Sequence, residues 1–112
     1  MWTISGNLIG SQSVNIHLSS ARDVTITGNH IYSGHQRNLL VEDSRNIVVG
    51  SNCFGHNPDY QMNELCTGIR FVNSVDCVLS GTLIQDCQAG KHTVPNAEPI
   101  HRDALVEFVN CC

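Results

Sequence analysis

The run Val24-Thr25-Ile26-Thr27-Gly28-Asn29-His30-Ile31, followed after a short loop by Leu39-Leu40-Val41-Glu42-Asp43-Ser44-Arg45-Asn46, decides how this chain folds. Its first half lines up with Thr3-Ile4-Ser5-Gly6-Asn7 upstream, and with Val48-Val49-Gly50-Ser51-Asn52 and Leu79-Ser80-Gly81-Thr82 downstream. Its second half lines up with Ile16-His17-Leu18, Ile69-Arg70-Phe71 and Val106-Glu107-Phe108. A turn follows each second half at fixed distance: Ser20-Ala21-Arg22-Asp23, Asp43-Ser44-Arg45-Asn46, Asn73-Ser74-Val75-Asp76, and Asn110-Cys111-Cys112. A chain that returns to the same columns four times is a repeat array, each unit stacked on its neighbours.

The units are built from strands. Val24, Ile26, Ile31, Leu39 and Val41 stand among polar residues with a period of two, and no stretch carries a helical stripe of apolar residues. Clusters of Gly, Asn, Ser and Asp punctuate the runs. A unit of about 22 residues is too short for a helical crossover and holds three short strands with three turns. Stacked coils of this kind form a parallel β-helix, right-handed by the crossover rule. One domain spanning 1–112 is expected, with coils at about 2–23, 24–46, 47–76 and 77–112. At strand spacing the stack is about 19 Å tall.

The columns then predict the core. Ile4, Ile26, Val49 and Leu79 point inward together, as do Ile9, Ile31, Phe54 and Ile84. Two more inward columns are Ile16, Leu39, Ile69, Val106 and Leu18, Val41, Phe71, Phe108. Val24, Ile47 and Cys77 make a fifth, with Trp2 at its N-terminal end, and small Ala21, Ser44, Ser74 and Cys111 fill an inward corner. Asn7, Asn29 and Asn52 form a ladder at another corner, where asparagine tolerates left-handed backbone; Thr82 breaks it.

The pattern Val24 to Ile31, a loop, then Leu39 to Asn46 resembles the repeat of pectate-lyase-like parallel β-helix proteins, and the resemblance runs through essentially the whole chain. It is specific for fold. For function it implies carbohydrate chemistry in a broad sense, because that superfamily spans polysaccharide lyases, glycoside hydrolases, epimerases, adhesins and phage tailspikes. Calcium as a cofactor, and a secreted or cell-surface place for the full-length protein, enter only through the resemblance; no metal ligands are assigned.

Composition narrows the partners. The net charge is −4 and the pI about 5.8, which argues against nucleic acid. No apolar run approaches the roughly 18 residues of a membrane span, and no signal-peptide pattern opens the chain. The six cysteines lack metal-ligand spacing; Cys77 and Cys111 fall in inward columns, and Cys66 and Cys87 lie on neighbouring loops where a bridge is feasible. A solenoid needs polar caps, yet Trp2 already occupies a core column and Cys112 stops inside a turn. The chain therefore reads as a fragment of a longer solenoid, or as one that associates with itself through its open ends.

Chemistry is expected where the loops grow. Between the second and third strands the separation is 7 positions from Ile9 to Ile16, 8 from Ile31 to Leu39, 15 from Phe54 to Ile69 and 22 from Ile84 to Val106. All leave one corner, so they cluster on one side. They carry His35 and Arg37, then His56, Asp59, Tyr60 and Glu64, then Lys91, His92, Glu98, His101, Arg102 and Asp103. Beside them runs the outward column His17, Leu40, Arg70, Glu107.

A polysaccharide lyase needs a base beside a uronate carboxylate and positive charge for the enolate-like intermediate. Arg70, Lys91, His101 and Glu107 are the candidate catalytic residues; His56, Asp59, Tyr60, Arg102 and Asp103 are the candidates for holding substrate. A glycoside hydrolase would instead use two of Asp59, Glu64, Asp103 and Glu107, but the adjacent-aspartate pair of polygalacturonase-like hydrolases is missing. The expected function is a carbohydrate-active domain with an acidic polysaccharide as partner. The alternative is a non-catalytic glycan-binding, adhesion or structural segment, consistent with one Trp and two Tyr.

The register itself is testable. Ile69→Asp is expected to unfold the chain, because it leaves a carboxylate unpaired in the core. Circular dichroism reads the outcome, and a folded Ile69→Asp chain would overturn the in–out assignment.

Overall fold

A computed structural model describes residues 1–55, 68–85, 90–92, 100–102 and 104–112. Their strands, in chain order, are β1 (Trp2–Ser5), β2 (Leu8–Gly10), β3 (Val14–Ser19), β4 (Arg22–Thr27), β5 (His30–Tyr32), β6 (Arg37–Glu42), β7 (Arg45–Val49), β8 (Cys53–Gly55), β9 (Ile69–Val72), β10 (Val75–Leu79), β11 (Leu83–Ile84), β12 (Gly90–His92), β13 (Ile100–Arg102) and β14 (Val106–Val109). Three four-stranded parallel sheets wrap around one lumen, in the orders β1-β4-β7-β10, β2-β5-β8-β11 and β3-β6-β9-β14. Through the first three coils every third strand returns to the same sheet one coil higher, the topology of a parallel β-helix.

Pairing follows the sequence columns. Ile4 stands beside Ile26, Ile26 beside Val49, and Val49 beside Leu79. Ile9, Ile31, Phe54 and Ile84 are successive partners, as are Ile16, Leu39, Ile69 and Val106. Burial is deepest in the middle coils, where Ile26, Ile31, Leu39, Val41, Ile47, Val49 and Phe71 are wholly enclosed. Each such side chain contributes about 1.5–3 kcal/mol relative to exposure.

At the ends of the stack the register holds but the burial does not. Trp2 pairs with Val24 as expected, yet it is 72% exposed. Phe108 pairs with Phe71 and stacks on it, rings 4.9 Å apart, but is 51% exposed. These inward residues have a coil on one side only, and their other side stays open.

The corners turn by left-handed residues. After the third strand these are Ser20 (φ 54°), Asp43 (51°), Asn73 (50°) and Asn110 (51°), and a second set, Asp23, Asn46 and Asp76, kinks the start of the next strand. Asn and Asp accept this conformation at modest cost. At the corner between first and second strands the left-handed residue is Gly6 (69°), Gly28 (70°) or Gly81 (63°), and not the asparagine that follows. The asparagines are there for their amides.

Those amides tie coil to coil. Asn29 Oδ1 accepts from both Asn7 N (3.0 Å) and Asn7 Nδ2 (3.1 Å). Asn52 Oδ1 accepts from Asn29 N (3.0 Å) and Asn29 Nδ2 (3.0 Å). Asn29 Nδ2 also donates to Ile4 O and Thr27 O. Thr82 ends the ladder, its hydroxyl donating to Gly50 O and Ser80 O. A hydroxyl ladder runs through the corner after the third strand: Ala21 N donates to Ser44 Oγ (3.1 Å) and Ser44 N to Ser74 Oγ (3.2 Å). The small residues expected there do more than fit; two of them bridge coils.

Asn29 is buried between coils whereas Asn7 sits at the exposed end. Asn29→Ala is therefore expected to cost about 2–4 kcal/mol, because the part-buried Ile4 O, Thr27 O and Asn7 N and the buried Asn52 Oδ1 lose a partner at once, and Asn7→Ala about 1 kcal/mol or less. Urea denaturation of the two variants measures both; equal losses would deny the ladder its structural weight.

Candidate functional site

The outer face of the β3-β6-β9-β14 sheet is set by strand alternation. With Ile16, Leu39, Ile69 and Val106 inside, the next residue of each strand points out. His17, Leu40, Arg70 and Glu107 are accordingly successive partners across four coils. On the lower coils His17 Nε2 lies 2.5 Å from Glu42 Oε1, an exposed pair. On the upper coils the charges gather.

Arg70 Nη1 donates to Glu107 Oε2 at 3.2 Å, joining two candidate catalytic residues on adjacent coils. Arg37 Nη1 donates to the other oxygen, Glu107 Oε1, at 3.3 Å. Arg37 begins β6, two coils below Glu107, so the two side chains together bridge about 9–10 Å of strand spacing. Arg37 and Glu107 each keep 17% of their side chain in solvent and Arg70 keeps 31%. Burial pushes the Arg37 guanidinium below arginine's usual value; Glu107 opposes the shift and the neighbouring Arg70 adds to it. Arg70–Glu107 is thus no isolated surface pair: Glu107 answers two arginines, and desolvation of Arg37 offsets part of what the ion pairs return.

Arg37 reads as a loop residue from the sequence, but it is a strand residue that pairs with Val14. Strand alternation counted back from the inward Leu39 would turn Arg37 inward as well; the alternation breaks at Asn38, which is enclosed beside Leu39, and Arg37 meets the outward Glu107.

The corner beside this cluster is built by a second asparagine pair that the repeat columns do not reveal. Asn15 Nδ2 donates to Asn38 Oδ1 (2.8 Å) and to Tyr32 O (2.7 Å). Gly34 N also donates to Asn38 Oδ1 (2.8 Å), which holds the turn leading into β6. Asn38 is fully enclosed, and among the described residues its Nδ2 is the buried side-chain polar atom left without a hydrogen-bond partner. The next coil has Gly68 in that column. A Cβ there would stand 1.9 Å from Leu105 O, so the close passage of the chain before β14 demands glycine.

In the fourth coil the connection between β11 and β14 contains an antiparallel hairpin, β12 with β13. Its register sets Lys91 opposite His101 and Gly90 opposite Arg102. Two candidate catalytic residues distant in sequence are thus cross-strand partners. Nothing in the sequence pattern separates this short pairing from a longer loop. His56, Asp59, Tyr60 and Asp103 lie outside the described residues, as do Cys66 and Cys87.

Four described cysteines are free: Cys53, Cys77, Cys111 and Cys112. Burial pushes the Cys77 thiol up from its usual value, so it behaves as the small inward hydrophobe its column predicts. Among the described residues no three His, Cys, Asp or Glu side chains are grouped to hold a cation.

The chain matches the family model described as a right-handed β-helix region over residues 2–111. No curated protein and no solved structure matches it. Three parallel sheets around one lumen, and a family match over nearly every residue, lead to one conclusion: this chain belongs to the right-handed β-helix family.

Proposed function

We propose that this β-helix acts on an acidic polysaccharide by β-elimination, with the outer face of the β3-β6-β9-β14 sheet as the sugar-binding side. The observation that carries the reading is the Arg37–Glu107–Arg70 cluster, set on successive coils beside the corner where the long connections leave. In this reaction a base removes the proton α to the uronate carboxylate. The electron pair forms a double bond to the β carbon, the glycosidic C–O bond breaks, and the departing oxygen takes a proton. Charge builds on the carboxylate as the proton leaves, and arginine next to it lowers that barrier. Arg70, the more open of the two arginines, fits that role; Lys91 or His101 on the hairpin fits the base.

One observation favours a second reading. Arg70 and Glu107 are engaged with each other, as two groups with a structural duty would be. A non-catalytic glycan-binding, adhesion or structural segment is the function that follows. It predicts either saturable glycan binding without product or no binding.

Incubation with polyuronates separates the readings. A lyase raises ultraviolet absorbance from the unsaturated product. Arg70→Ala is expected to lower that rate about 100-fold or more, by analogy with loss of one transition-state donor, while His17→Ala retains it. Equal rates in both variants would sink the assignment of Arg70, and binding without absorbance change would favour the non-catalytic module.

A further inference from the structure

We infer that Arg37 and Arg70 form an oxyanion clamp whose resident occupant is the Glu107 carboxylate, and that a carboxylate or sulfate from outside exchanges with Glu107 there. The inference stands whether or not the chain is a lyase.

Three observations carry it. Two guanidinium groups converge on one carboxylate, one at each oxygen, so the described cluster holds two positive charges against one negative. The contacts are 3.3 and 3.2 Å, longer than the roughly 2.7–2.9 Å of a strong charge-assisted bond, and each uses a single Nη1. Glu107 therefore does not use the two-pronged geometry a guanidinium offers an oxyanion. Access is graded as well: Arg37 lies deep at 17% exposure, while Arg70 presents 31% of its side chain to solvent. An incoming anion meets Arg70 first.

The arrangement has a reason in the fold. Arg37 reaches Glu107 from two coils away and Arg70 from one, so the two cations approach the same point from below. Without the carboxylate they would face each other across a partly enclosed space, and like charges so placed repel. A clamp that needs an anion to be stable recruits one from solution when its own is neutralised.

The chain, its Glu107→Gln variant and the double variant Arg37→Ala/Glu107→Gln are melted in sodium formate, sodium sulfate and sodium chloride at matched ionic strength. Glu107→Gln is expected to gain a saturable rise in melting temperature with formate or sulfate. The rise is roughly 4 °C at an anion concentration about five times the dissociation constant. The double variant should show only the unsaturable response common to proteins in these salts. Formate saturating first identifies a planar carboxylate as the preferred guest; sulfate saturating first identifies a tetrahedral anion. In the unaltered chain, the Arg70 side-chain Nε–H resonance should shift on titration with formate, at higher concentration than in Glu107→Gln, because Glu107 competes. Identical melting responses from the single and double variants would overturn the clamp. If Glu107→Gln does not fold, an Arg70 resonance in the unaltered chain that formate leaves unmoved would overturn it as well.

Discussion

Everything in this molecule depends on coils stacking in one register. A parallel pair gains its hydrogen bonds wherever it is placed along the strand, but a slip of one residue would turn every inward side chain outward. Two devices prevent the slip. The lumen accepts only the apolar set, with Ile26, Ile47, Val49 and their neighbours fully enclosed. The corners then add direction: Asn29 must reach Asn52 above, Ile4 O below and the Asn7 backbone amide, and no other register serves all three. Apolar columns decide which face is inside, and the amide and hydroxyl ladders decide which residue sits over which.

The same register creates the outer face. Once Ile69 and Val106 are inside, Arg70 and Glu107 must be outside and adjacent. Their pairing follows from stacking and needs no separate folding event. Arg37 is different, because it belongs two coils lower and reaches Glu107 only through the length of its side chain. The trio ties three coils on the outside as the asparagines tie them within. Its charge is also what makes this face chemically distinct from the β1-β4-β7-β10 sheet, whose outer positions include Thr25, Val48 and Val78.

Much of this is legible in the order of the amino acids alone. The columns give the sheets, the register, the asparagine ladder and the Arg70–Glu107 adjacency, because a period-two pattern repeated at fixed distance leaves one consistent stacking. What escapes the pattern is whatever depends on neighbours that are not column mates. The Asn15–Asn38 pair is invisible because it occurs in two coils only. The exposure of Trp2 and Phe108 is set by position in the stack and not by residue type. The Lys91–His101 register comes from a hairpin of three residues a side, too short to show alternation. Arg37 reads as part of a loop since its strand begins two residues ahead of the apolar run at Leu39.

The second asparagine pair explains why the insertions sit where they do. The corner after the first strand keeps its ladder through Asn7, Asn29 and Asn52 and admits no long connection. The corner after the third strand keeps hydroxyls at Ser44 and Ser74 and likewise stays short. At the corner after the second strand the pair stops at Asn38, whose Nδ2 has nothing above it to meet among the described residues. Gly68 cannot supply the partner, since Leu105 O occupies the space a side chain would need. This is the corner where the connections lengthen, from 8 positions in the second coil to 15 in the third and 22 in the fourth. A corner bound by its ladder has a fixed length. A corner released from it has room for new chain, and this corner lies at the start of the strand that carries Arg37.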